Sequence, residues 1–192
     1  DDLEGHDKIL SLHRSTRERL DYYPTLYDKI FAVTGKPESI LDLGCGMNPL
    51  SLPYMELGGV KYIAAELTSE DVYFLKKYFN KVGVEGDAFQ MDLTKAGKMP
   101  SVDVCFMFKL LDTLETLKKD ISRELVETVK CKWLIVSFPT KTIGGRKQIS
   151  KGRLGWFEKI IKGRKFEIIE IENELFYIVK KGCSSSQSES VT

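Results

Sequence analysis

Leu20, Tyr23, Tyr27, Ile30 and Phe31 recur at spacings of three and four, which puts them on one stripe and predicts an amphipathic helix within the first forty residues. Ser15 followed three positions later by Glu18 fits a capping box at its start, and Gly35 and Pro37 supply its stop. Past Pro37 the pattern changes. Short apolar runs alternate with helical stretches: SILDLG, KYIAAEL, DVYFLKKYFNKV, VEGDAFQM, VDVCFMF, DISRELVETVK, WLIVSF, GWFEKIIK, FEIIEIE and LFYIVKK. Such alternation predicts an α/β fold, a mostly parallel seven-stranded sheet covered by helices. The last two runs are separated only by about Asn173 and Glu174, too few residues for a crossover helix, so they are expected to form an antiparallel hairpin at one edge. This divides the chain into an N-terminal helical segment (1–36), a main domain (37–182) and a tail (183–192) whose five serines predict disorder.

Composition narrows the class. With 192 residues, 42% of them hydrophobic and 30% charged, the chain has the profile of one soluble domain with its own core. The longest unbroken apolar stretch, Val104 to Phe108, is far short of the ~18 residues of a membrane span, and the start DDLEGHD lacks the features of a signal peptide. A cytoplasmic protein without a membrane partner is the expectation, and a monomer. Cys45, Cys105, Cys131 and Cys183 lie far apart without a CxxC pair, and the only histidines are His6 and His13. That spacing suits neither a zinc site nor a disulfide framework, so free thiols and no metal are expected. The net charge of +1 conceals an uneven distribution: Pro139 to Lys165 holds nine basic residues and one acid, a local net of +8.

The run Ser39 to Leu43 leads into Gly44-Cys45-Gly46, and Asn48-Pro49 follow as a candidate helix cap and first helical residue. Glycine at a strand-to-helix turn lets backbone approach a ligand closely. A dinucleotide fingerprint would need another glycine at position 49, where Pro49 stands, which argues against NAD and FAD. What remains is Asp42-Leu43-Gly44-Cys45-Gly46, then Glu66 ending the next strand and Asp92 following the third, with Asp87 an alternative to Asp92.

This arrangement resembles the class I S-adenosylmethionine-dependent methyltransferases, whose sheet is Rossmann-like. The resemblance implies S-adenosyl-L-methionine as cofactor, with Gly44 and Gly46 against its amino-acid portion, Glu66 on the ribose hydroxyls, and Asp92 with Leu93 at the adenine. A carboxylate suits the ribose because its two oxygens match two hydroxyl donors. The string HRSTRERL from His13 to Leu20 is similar to the HxSTxERL stretch of the aminoglycoside-resistance 16S ribosomal RNA guanine-N7 methyltransferases. By that resemblance Arg19 binds the cofactor carboxylate; charge pattern alone favours a solvated basic face. Ser137 to Arg146, Lys151-Gly152, Trp156-Phe157, DLGCGMNPL and FKLLDTL resemble further segments of the family, so that similarity runs from Leu12 to Lys181. Two departures stand out. Only twelve residues precede His13, where family members carry a longer helical extension that helps grip the small ribosomal subunit, and Arg153 stands where the family often has Met.

The resemblance implies methylation of a guanine N7 in the decoding site of 16S rRNA, conferring aminoglycoside resistance. N7 holds an in-plane lone pair, so the attack on a sulfonium methyl needs no catalytic base. Arg19, Asp42, Gly44, Gly46, Glu66, Asp92 and Leu93 are expected to line the cofactor pocket. Lys109, Lys141, Arg146, Lys147 and Lys151 are expected to face RNA, and Trp156 to stack on a flipped base, while helical spacing assigns Phe157 to the core. Two alternatives stay open: a methyltransferase acting on a small molecule or protein, and a catalytically silent RNA-binding module.

Overall fold

In the computed structural model, which describes residues 3–95, 97–140 and 154–182, all seven apolar runs read as strands are strands. They are β1 (Ser39–Leu43), β2 (Lys61–Glu66), β3 (Gly86–Gln90), β4 (Val102–Phe108), β5 (Cys131–Pro139), β6 (Phe166–Ile171) and β7 (Glu174–Lys180). Their order in the sheet is β3-β2-β1-β4-β5-β7-β6. β1 to β5 pair in parallel, and β7 runs antiparallel to both β5 and β6. The expected edge hairpin is present, with its turn one residue earlier than anticipated. Glu172, at φ +48°, and Asn173 make the bend, and Glu174 is already the first residue of β7.

Alternating side chains feed two cores. Ile40, Tyr62, Val104, Phe106 and Phe176 point to one face, covered by α1 (Leu3–Leu10), α3 (Tyr23–Thr34), the 3-10 segment Asn48–Met55 and α4 (Ser69–Val82). Leu41, Leu43, Cys105, Leu134 and Tyr177 point to the other, covered by α5 (Leu111–Leu117), α6 (Ile121–Thr128) and α7 (Gly155–Ile160). Phe157 is fully buried there, as its spacing implied.

The N-terminal region departs from the single capped helix expected of it. Pro24 cannot sit in a helix interior, so the chain breaks into α2 (Arg14–Arg17), a 3-10 turn (Leu20–Tyr22) and α3, which takes Pro24 in its first turn and ends at Gly35. His13, not Ser15, precedes α2, and no side chain caps it. The Glu18 carboxylate turns away from the backbone to Arg14 Nε and Lys109 Nζ, at 2.9 and 2.8 Å. Asn48 opens its 3-10 segment and caps nothing; its amide is drawn inward by two buried partners described below. Among the described residues no helix is long and apolar enough to cross a membrane.

Gly86 tests the packing of α4 on β3. A Cβ placed there would come within 2.5 Å of the Phe79 ring, which is fully buried and has no room to retreat. Gly86→Ala is expected to lower stability by about 1–3 kcal/mol, the range for overpacking a tight core. The check is the urea midpoint at constant m-value.

Candidate active site

Strand order reverses between β1 and β4, and the carboxyl edge at that point is where open α/β sheets form a ligand crevice. The β1 exit turn borders it. Gly44 and Gly46 hold φ of +61° and +49°, a region that L side chains rarely adopt. The amides of Gly44 and Cys45 both donate to the Ala65 carbonyl, at 2.9 and 3.3 Å. Gly46 N–H donates to Glu66 Oε2 at 2.8 Å, and Leu67 N–H to Glu66 Oε1 at 2.9 Å. Glu66 is therefore aimed by two backbone donors at the turn itself. The two glycines do different work: a Cβ on Gly44 would strike Leu110 Cδ1 at 2.6 Å, whereas one on Gly46 would meet nothing within 4 Å. Gly44 allows α5 to close against the turn, and Gly46 faces open space.

Beneath the turn lies a buried polar layer. Asp42 is 1% exposed, and its Oδ2 accepts from Asn48 Nδ2 at 2.8 Å and from Tyr62 OH at 2.6 Å. Burial pushes its carboxyl up to about 6, against the pull of the Tyr62 and Asn48 bonds. Asn48 Oδ1 in turn accepts from Tyr23 OH at 3.1 Å. Asp42 thus braces the turn from below.

Arg19 is also buried, at 2% side-chain exposure. Its Nε and Nη2 donate to Glu174 Oε2 and Oε1 at 3.1 and 2.7 Å, and its guanidinium carbon lies 4.9 Å from the centre of the Phe108 ring. Tyr22 OH and Lys109 Nζ also reach Glu174 Oε2, at 3.1 and 3.2 Å. Burial works to raise the Glu174 pKa, but the adjacent Arg19 charge and bonds, with help from Lys109 and Ser137, hold it below the ordinary carboxylate range. The reading of HRSTRERL as a solvated basic face holds for Arg14 and Arg17 and fails for Arg19.

At the far side of the crevice, Asp92 follows β3. Its carboxylate accepts from Thr94 Oγ1 and N at 2.6 and 3.0 Å and pairs with Lys95 at 2.9 Å; Thr94 first, then Lys95, holds its pKa down at about 2. Leu93 is buried beside it. Asp87 is no substitute, because it sits within β3 and pairs with Lys76 on α4 at 3.3 Å.

A family model described as "Ribosomal RNA methyltransferase (FmrO)" matches residues 4–178. The chain belongs to this family. A 16S rRNA (guanine(1405)-N(7))-methyltransferase of Micromonospora echinospora is 32% identical over 178 residues, 91% of this chain and 65% of that protein. The one from Frankia casuarinae is 33% identical over 183 residues, 91% and 63% of the two chains. The FmrO-family chain thus spans a little under two thirds of these relatives' length. Among solved structures, the 16S rRNA methyltransferase RmtF in complex with S-adenosyl-L-homocysteine matches with a TM-score of 0.83 at 30% identity, over 93% of this chain and 69% of that one. The 16S rRNA methylase ArmA matches with a TM-score of 0.76 at 27% identity, over 91% and 90%.

The expected RNA contacts of this FmrO-family chain fare differently. Lys109 does not reach outward: at φ +51° it leaves β4 so that its ammonium bridges Glu18 and Glu174, and it is 19% exposed. Two carboxylates beside it make the inward position the favourable one. Lys141, Arg146, Lys147 and Lys151 lie outside the described residues, as does the tail from Cys183. Trp156 is half-buried, its ring edge-on to Phe138 and Phe157 at 5.8 and 5.9 Å, so packing already engages it. Glu174 escaped sequence reading. The available signal was an acid abutting the apolar run LFYIV, which was assigned to the turn.

Asp42 yields a pH test. A carboxyl whose folded pKa lies above its unfolded value of 3.8 stabilises the fold below that value, and the contribution is lost as pH rises through about 6. Asp42→Asn, which keeps an acceptor for Tyr62 and Asn48, is expected to gain on the parent between pH 4 and 7 by on the order of 2–3 kcal/mol. Urea unfolding of both proteins across that range reads the gap; a gap independent of pH refutes the assignment.

Proposed function

We propose that the chain transfers a methyl group from S-adenosylmethionine to N7 of a guanine in the decoding site of 16S rRNA within the small ribosomal subunit, a modification that confers aminoglycoside resistance. The observation that carries this is the bond from Gly46 N–H to Glu66 at the switch-point crevice, in a member of a ribosomal RNA methyltransferase family. Relatives at 32 and 33% identity are named as 16S rRNA (guanine(1405)-N(7))-methyltransferases.

The residues present fit the cofactor. Gly46 leaves space for it, Glu66 keeps lone pairs for two hydroxyl donors after its two backbone bonds, and Arg19 brings a cation to the layer below. Glu66 would hold the ribose, Arg19 the methionine carboxylate, and Asp92 with Leu93 the adenine. When bound, S-adenosylmethionine supplies an electrophilic methyl on a positively charged sulfur. The chain's own task is alignment, since guanine N7 attacks with a lone pair and no proton has to be removed first. Holding the reacting groups in line is worth up to about 7–11 kcal/mol of barrier. Trp156 and the basic segment from Lys141 to Lys151 would contact the RNA, the latter as phosphate partners.

Labelled cofactor, offered with small subunits, naked 16S rRNA and a metabolite pool, decides the matter. Label at a guanine N7, located by borohydride and aniline cleavage, is expected. Label on a metabolite or on protein, or none at all, overturns the proposal. Gly46→Val is expected to reduce labelling more than tenfold while costing the fold only about 1–3 kcal/mol of backbone strain. Full labelling by this variant would remove the turn from the cofactor's path.

A further inference from the structure

We infer that Glu174 is a positioning residue for cofactor capture: it fixes one edge of the Arg19 guanidinium, so that the edge carrying Nη1 is the one offered to the methionine carboxylate. This rests on the function proposed above and adds to it a residue from the opposite end of the chain.

The donor count sets the geometry. A guanidinium carries five N–H groups, and the bidentate bond to Glu174 uses one on Nε and one on Nη2. Of the three N–H groups left over, Tyr23 takes a share as a further side-chain hydrogen-bond partner, and the Nη1 edge faces away from Glu174. A carboxylate has about four lone-pair sites, and two bonds from Arg19, one from Tyr22, the Lys109 ammonium and the Ser137 side chain more than fill them on Glu174. Glu174 is thus saturated and fully buried, and Phe108 lies against the guanidinium. The Arg19 plane is held by a carboxylate on one side and a ring on its face, which leaves it little freedom to rotate.

Position makes the arrangement purposeful. Glu174 opens β7 and stands opposite Pro139, at the carboxyl end of β5, so the antiparallel turn of the hairpin delivers its side chain to the same edge of the sheet as Gly46 and Glu66. A buried ion pair is a poor device for stability alone, because apolar residues of equal volume commonly serve as well or better. Orientation of a ligand-binding cation is a task that apolar residues cannot perform.

The test compares two ligands on the full chain. S-adenosylhomocysteine carries the carboxylate, and 5′-methylthioadenosine lacks the amino-acid portion. Glu174→Gln, an isostere without the charge, is expected to weaken S-adenosylhomocysteine binding about tenfold by calorimetry and to leave methylthioadenosine within twofold. In methyl transfer, KM for the cofactor should rise by a similar factor with kcat nearly constant. Equal weakening of both ligands shows a general structural role and overturns the inference, as does no weakening of either. Tyr22→Phe removes one donor to Glu174 without stranding a charge; it is expected to give a loss of about threefold, again only for the ligand with the carboxylate, and serves if the glutamine variant fails to fold. Failure of the unaltered chain to bind either ligand overturns the function proposed above, and the role of Glu174 with it.

Discussion

The fold is organised around charges that have been taken out of water. Arg19 and Glu174 share a site with 2% and 0% side-chain exposure, and Asp42 lies in the same layer at 1%. Desolvating each ion costs several kcal/mol, recovered only if every lone pair and proton finds a partner in good geometry. That requirement recruits Tyr22, Tyr23, Asn48, Tyr62 and Lys109, and through them β1, β2, β4, β7 and the N-terminal turn. The buried polar layer, Asp42 included, therefore constrains how these segments meet, together with the apolar contacts around it.

Above this layer the crevice has few freedoms left. Ala65 and Glu66, neighbours at the end of β2, both bond the glycine turn, one through its carbonyl and one through its carboxylate. Such a doubly tied turn presents its free backbone to a ligand without first having to order itself, which is the physical content of preorganisation.

Sequence reading recovered the sheet because strand formation here is written in local terms: apolar runs bounded by glycine, proline and charge. Gly44, Gly46 and Glu66 were equally legible, since a turn and a strand-end acid have fixed offsets. Reading failed where partners are distant along the chain. Lys109 looks like any exposed lysine until Glu18 and Glu174 are brought to it, and Arg19 looks like part of a solvated cluster until β7 is in place. The helix from Ser15 failed for a local reason, because the apolar stripe continues across Pro24 while the hydrogen bonding does not. Asp42 was legible as a residue of β1, but its burial and its bonds to Tyr62 and Asn48 were not, as strand alternation says which face a residue takes and nothing about depth.

The pairing of Arg19 with Glu174 joins positions 155 apart in a chain of 192. Contacts of such long separation close late, because the entropy of the intervening loop must be lost first. During synthesis from the amino end, Arg19 leaves the ribosome long before its counter-ion exists. The surroundings of Arg19 are consequently complete only once β7 has been made, and a nascent or truncated chain that ends before β7 holds an arginine without its carboxylate partner.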